Sequence, residues 1–125
     1  MNKRRINRIS EEIRKVISEL LSRELKDPRI SPLTSVTKVE VTNDLSYAYI
    51  YISVLGNDED KANTINGLQS AKGYIKREIG NRVDLRLIPE LVFRLDESIE
   101  QGIYISQLID KVSREDREKR GDEDE

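Results

Sequence analysis

The chain contains no cysteine, no histidine and no tryptophan. Without cysteine there is no disulfide framework. Without cysteine or histidine there is neither a zinc site of the usual ligand type nor a nucleophile–base pair built on those residues. No apolar run is long enough to span a bilayer, and the basic opening MNKRRINRIS is not followed by the unbroken apolar segment of a secretory leader. These absences point to a cytoplasmic chain with no membrane partner and no metal or other cofactor. An excess of one charge is missing too: 22 Lys and Arg stand against 24 Asp and Glu, a net charge of −2, so the total does not announce a nucleic-acid partner.

What is present is an uneven distribution of those charges. Lys3, Arg4, Arg5, Arg8, Arg14 and Lys15 face only Glu11 and Glu12 in the first fifteen residues. Lys72, Lys76, Arg77, Arg82 and Arg86 face only Glu78 and Asp84. The segment 114–125 carries seven acids against four bases and so hides two basic clusters in the average. Any one of these cations reads as solvated surface; two clusters in a chain of 125 residues, the size of one domain with a real core, favour an anionic partner.

Hydrophobic spacing gives the elements. Ile6, Ile9, Ile13, Val16, Ile17, Leu20, Leu21 and Leu25 recur every three or four residues and predict an amphipathic first helix. Pro28 disfavours helical geometry at Asp27, so 27–32 is expected to be a fixed turn. Leu33, Ser35, Thr37, Val39 and Val41 then alternate with Val36, Lys38 and Glu40. After TNDLS, Ala48, Ile50, Ile52 and Val54 alternate with Tyr47, Tyr49, Tyr51 and Ser53, which makes an antiparallel hairpin. GNDED supplies a breaker and an acidic first turn for another helix. LVFRL places Leu91, Phe93 and Leu95 on one face of a last strand, and Ile99, Ile103, Leu108, Ile109 and Val112 predict a short C-terminal helix. From about Arg114 no apolar residue remains to offset the entropy of ordering, so the expected organisation is one domain over 1–113 and a disordered charged tail over 114–125.

The stretch SAKGYIKREIG interrupts an otherwise helical pattern. A three-residue step falls about 60° short of a full turn and a four-residue step overshoots by about 40°. Ala62, Ile65, Leu68 and Ala71 are linked by threes, whereas Ala71, Ile75, Ile79 and Val83 are linked by fours, so the apolar stripe reverses its winding at Ala71. Two helices meeting at a kink satisfy this, with Ala71 permitting close packing and Gly73 absorbing the bend.

Helix, strand, strand, helix, kink, helix, strand is the order of an α+β domain of KH type II form. With DPRI at Asp27 to Ile30, DLSYA at Asp44 to Ala48, SAKG at Ser70 to Gly73 and PELVFRLDESIEQG at Pro89 to Gly102, the chain resembles the ribosome-binding factor A family of bacterial small-subunit maturation factors from about Arg5 to Val112. In that family the Gly-x-x-Gly loop of KH domains is replaced by a kink with Ala-x-Gly. Here it is Ala71-Lys72-Gly73, and no two glycines stand three apart. A Gly-x-x-Gly loop clamps a nucleic-acid backbone because its glycines leave the main chain open. With only one glycine, recognition shifts to Lys72, Lys76 and Arg77 and to the amides that begin the second half-helix.

The resemblance implies a monomeric, non-catalytic factor that binds the small ribosomal subunit and its ribosomal RNA, in company with other assembly factors. It implies roles in late maturation, in processing of the precursor RNA and in growth in the cold. The candidate RNA-binding residues are Lys3, Arg4, Arg5, Arg8, Arg29, Lys72, Lys76, Arg77, Arg82 and Arg86, and the kink motif is Ser70, Ala71, Lys72 and Gly73. Tyr47, Tyr49 and Tyr51 form a row that could stack bases, although cross-strand packing over Val36 and the stem of Lys38 explains it more simply. Asp44, Asp84, Glu90 and Asp96 are too scattered for acid–base or metal chemistry, and Asp44 reads as a turn former. A protein–protein adaptor working through the sheet face, without direct RNA binding, is the alternative.

Overall fold

The computed structural model describes residues 2–123, with side chains to residue 114. Helix α1 (Lys3–Arg23) starts where the Asn2 side chain accepts the Arg4 amide at 2.8 Å. It buries Ile6, Ile9, Ile13, Val16, Ile17 and Leu20, with Leu21 and Leu25 packed at the margin, as the spacing requires. Each such aliphatic side chain contributes about 1.5–3 kcal/mol by leaving water. In the turn that follows, the Asp27 carboxylate accepts the Arg29 amide at 2.9 Å and the Asp27 carbonyl accepts the Ile30 amide at 3.0 Å.

Strands β1 (Thr34–Val41) and β2 (Tyr47–Val54) pair antiparallel, and β3 (Glu90–Leu95) pairs parallel to β2 on its other edge. In β2 the expected alternation holds as far as Ile52: Ala48, Ile50 and Ile52 are buried and the tyrosines face away, while Ser53, expected on the tyrosine side, is buried as well. In β1 it does not. A bulge lies between Val36, opposite Ile52, and Lys38, opposite Tyr51. Thr37 is the extra residue, and its hydroxyl donates to an Asp96 carboxylate oxygen at 2.7 Å. The bulge switches phase, so Val36 joins Val39 and Val41 in the core, while Leu33 lies before the strand and is exposed.

Helix α2 (Asp58–Ser70) begins with a reciprocal cap between Asn57 and Asp60. Its inward residues are Lys61, Thr64, Gly67 and Leu68, not the expected run through Ala62, which is exposed. The 27–32 turn sets this rotation. Thr64 Oγ1 accepts the Ser31 amide at 3.1 Å, and Ile30 lies so close to Gly67 that an added Cβ would sit 2.7 Å from its Cγ1.

The predicted kink is present: α2 ends at Ser70, α3 (Lys72–Arg82) begins at Lys72, and Ala71 between them leaves helical geometry at φ −88°, ψ 1°. Gly73 does not absorb the bend. It lies in the first turn of α3, without a positive φ and with open space where a Cβ would be. Ile75, Ile79 and Val83 continue the core from α3, and Leu91 and Phe93 from β3.

The α+β order is thus that of the KH type II form, with α1, α2 and α3 on one face of the three-stranded sheet. The other face is open along Lys38, Glu40, Tyr47 and Arg94. The last helix is longer than expected: α4 spans Ser98–Glu123, so the boundary expected at 113 falls inside it. Arg, Lys and Glu are good helix formers and need no apolar contact to extend a helix already started. Residues 124 and 125 of the expected tail lie outside the described residues. Among those residues no helix is long and apolar enough to cross a membrane.

Candidate nucleic-acid interface

The first turns of α1 carry Lys3, Arg4, Arg5 and Arg8 around the buried anchors Ile6 and Ile9, and all four cations are exposed. Asn2, Arg4, Arg5 and Arg8 line one shallow depression, so the three guanidinium groups share a surface. Among the described residues none of these four forms an ion pair.

The second cluster begins at the kink. Lys72 and Lys76 stand one turn apart on α3 and reach the same carboxylate, Glu90, at 3.3 and 3.1 Å. Lys76 first and Lys72 second hold the Glu90 carboxyl below the usual range. Two ammonium groups on one carboxylate leave one positive charge uncompensated. Arg77 is exposed and unpaired among the described residues. Ala71 provides no side-chain cap for α3, and beside it Gly73 leaves the backbone uncovered.

Glu90 connects the two clusters. Its amide donates to the Ser46 carbonyl at 2.9 Å, and Ser46 lines a groove together with Arg5 and Arg86. The lysines of the kink and the arginines of α1 therefore gather at the same end of the sheet, where the β1–β2 turn and the start of β3 meet.

Two of the sequence candidates are engaged elsewhere. Arg82 bridges Glu19 at 3.2 Å, Glu24 at 3.0 Å and Glu78 at 3.1 Å, which ties α3 to α1. The Tyr74 hydroxyl donates to Glu24 at 2.5 Å in the same cluster, and Tyr74, followed by Arg82, lowers the Glu24 pKa. Arg29 pairs with Asp27 at 2.6 Å and, as the main cause, brings that carboxyl down to about 2. Arg82 braces α3 against α1, whereas the Arg29 pair stays within its own turn and leaves Arg29 exposed. Arg86 belongs with Arg5.

The tyrosine row is occupied by its own sheet. Arg94 lies 4.3 Å above the Tyr49 ring, Lys38 lies 5.2 Å from the Tyr51 ring, and Tyr47 stacks on Tyr49 at 6.4 Å. Cross-strand packing over Lys38 is as expected, but Val36 is on the opposite face. Asp44 forms its turn, accepting from the Thr42 hydroxyl at 2.8 Å and the Ser46 amide at 3.0 Å.

Sequence reasoning missed Glu90 as the shared counter-ion, and Leu45, Leu85, Leu87 and Ile88 as walls of the groove. The available signal was RLIPE, where two apolar residues follow an arginine outside any helical stripe.

Helices on one face of a three-stranded sheet, a kink in place of a glycine loop and a cationic end define a KH-like α+β domain. The family model of ribosome-binding factor A matches residues 5–109, and the chain belongs to that family. It is 54% identical over 120 residues to ribosome-binding factor A of Acetivibrio thermocellus, covering 96% of this chain and 98% of the relative. It is 55% identical over 119 residues to that of Clostridioides difficile, covering 95% and 93%. The solution structure of a Thermotoga maritima protein described as a ribosome binding factor A has a TM-score of 0.66 and 33% identity, covering 75% of this chain and 90% of that one. Coordinates of Thermus thermophilus ribosome binding factor A, a homology model fitted into a cryo-EM map of a 30S complex, share the fold at a TM-score of 0.60 and 22% identity, covering 74% and 96%.

Proposed function

We propose that this chain is a non-catalytic assembly factor that binds the small ribosomal subunit through ribosomal RNA phosphates at its cationic end. The observation that carries the reading is the convergence of Arg4, Arg5 and Arg8 with Lys72, Lys76 and Arg86 where β2 and β3 begin. Membership of the family supports it, as does the Thermus factor fitted into a 30S complex. By preferring one conformation of maturing RNA the factor raises its population, which favours late folding and processing of the precursor. No step of that process asks the protein to make or break a bond.

The test is binding of the full chain to purified small subunits across a salt series. Each phosphate left without its cation lowers the slope of log affinity against log salt by roughly 0.7–0.9, so neutralising three cations that meet phosphate flattens it by about 2. This is expected for Arg4, Arg5 and Arg8 as a set and for Lys72, Lys76 and Arg77 as a set. It is not expected for Arg23, Lys26 and Lys111, which are exposed at the other end of α1 and on α4. If the control set weakens binding as much, attraction is diffuse and the site is wrong. If no set changes the slope, the adaptor reading replaces this one.

A further inference from the structure

A groove of about 640 Å³ opens between the start of α1, the β1–β2 turn and the segment joining α3 to β3. Leu45, Leu85 and Ile88 form its apolar wall and also pack against the core. Leu87 stands at its mouth, 77% exposed, more than any other large apolar side chain among the described residues. Leu45 has φ 62°, a left-handed conformation that leucine seldom adopts. The Leu45 amide donates to the Thr42 carbonyl at 2.9 Å, and the Asp44 turn holds this conformation in place.

Three charges line the groove: Arg5, Arg86 and Asp44. The Asp44 carboxylate is engaged by Thr42 and Ser46, whereas neither arginine forms an ion pair among the described residues. An aliphatic wall beside two unpaired guanidinium groups fits a ligand with a flat apolar part and an adjacent negative charge. A nucleotide has both. In a duplex the base faces are stacked and inaccessible, so the complementary form is an unpaired strand. The surroundings extend the match, because Arg5 also faces the depression it shares with Arg4 and Arg8, and Ser46 joins the groove to Glu90 and the kink lysines.

We propose that this groove receives one unstacked nucleotide of single-stranded RNA, its base against Leu85, Leu87 and Ile88 and its phosphate on Arg5 and Arg86. The inference rests on the RNA-binding reading above and sharpens it. The cationic end supplies attraction of any RNA, and the groove supplies a preference for unpaired RNA.

Two measurements on the full chain test it. The first follows the leucine and isoleucine methyl resonances while a mixed-sequence single-stranded hexaribonucleotide is added. The Leu45, Leu85, Leu87 and Ile88 signals should move with the single strand. They should not move to a comparable extent with the same sequence annealed into duplex, with inorganic polyphosphate, or with an acidic leucine-containing peptide. Equal movement with polyphosphate would reduce the groove to a charge effect, and stronger movement with the peptide would make it a protein-docking site; either overturns the proposal. The second uses purified small subunits. Leu87→Ala should weaken binding about fivefold with no change in salt slope, close to what exposing about one buried methylene group costs. Arg86→Gln should flatten the slope by about one phosphate's share. Leu87 is exposed enough for its truncation to leave the fold intact. If the parent binds subunits while Leu87→Ala binds equally well and the methyls stay still, the groove fails and the assembly-factor reading survives. If the parent ignores subunits yet the methyls respond to the single strand, the assembly-factor reading fails and the groove stands.

Discussion

The first and last helices both place isoleucine, leucine or valine at helical spacing. In α1 Ile13, Ile17 and Leu20 are wholly buried, whereas in α4 Ile103, Ile105, Ile109 and Val112 are each about half exposed. The difference lies in what each helix meets. A three-stranded sheet has one limited face turned to the helices, and α1, α2 and α3 cover it, helices and strands together supplying the nineteen buried apolar residues of a single cluster. Helix α4 starts beyond the end of β3 and is tied back where Lys61 reaches Glu100 at 2.8 Å. Periodicity thus reports that a helix has an apolar side. It does not report that a partner surface exists.

The strongest way to test this contrast is to truncate one isoleucine on each helix. Ile17→Ala should cost about 3 kcal/mol in urea unfolding, within the usual range for a buried isoleucine. Ile109→Ala should change stability by less than about 0.5 kcal/mol, as for an exposed position. A large loss from the second would show that α4 packs on the domain in solution.

Glycines give a smaller effect of opposite signs. Gly67→Ala puts a Cβ against Ile30 and should destabilise by about 1–2 kcal/mol through overpacking. Gly102→Ala, with nothing within 4 Å of its Cβ in α4, should stabilise by up to about 1 kcal/mol from helix propensity. Thermal melts of both variants measure this.

Acid sharpens the comparison further, because three depressed carboxylates lie on the surface of the α1–α3 and sheet part of the molecule, each held by a hydrogen-bonded cation or hydroxyl. Glu24, Asp27 and Glu90 all have folded pKa values below their ordinary ones. Such groups bind protons less readily when folded, so their stabilisation is complete above the ordinary carboxylate range and is lost as pH falls through the folded values. For Asp27 that window runs from the ordinary 3.8 down to about 2. The thermal midpoint should fall below about pH 4.5, and Asp27→Asn should make the decline shallower at the acid end.

The smallest effect is expected from removing 114–125. Although α4 is helical to Glu123, this segment carries no apolar side chain, so the thermal midpoint should stay within about 2 °C. A larger drop would give the segment a stabilising contact.

Much of the architecture was legible because α1, β2 and α3 each have one buried partner surface and a strict period. The kink falls at Ala71, where the spacing changes, but the expected stripe holds only in the α3 half: Ala62 is exposed, and α2 buries Lys61, Thr64, Gly67 and Leu68. What escaped depends on neighbours distant in sequence. The Thr37 bulge is coupled to Asp96, 59 residues away, and it reverses the faces of β1 before that point, bringing Val36 inward. Gly67 is needed because Ile30 presses on it, which a spacing argument centred on Gly73 does not see. Of the candidate site, the clusters were visible as charge. Which cations were already committed was not: Arg82 finds Glu19 and Glu24 on another helix, and Lys72 and Lys76 find Glu90 on another strand.

Glu90 gives the kink lysines a resident rival for any incoming anion. A phosphate arriving at Lys72 and Lys76 meets one uncompensated charge and gains the second only by trading places with a carboxylate, which stays tethered within reach for as long as the phosphate is bound. Such an arrangement lowers affinity but shortens the path back, because the vacated lysines are reclaimed intramolecularly. A surface built this way is suited to grip a partner for a while and then let go.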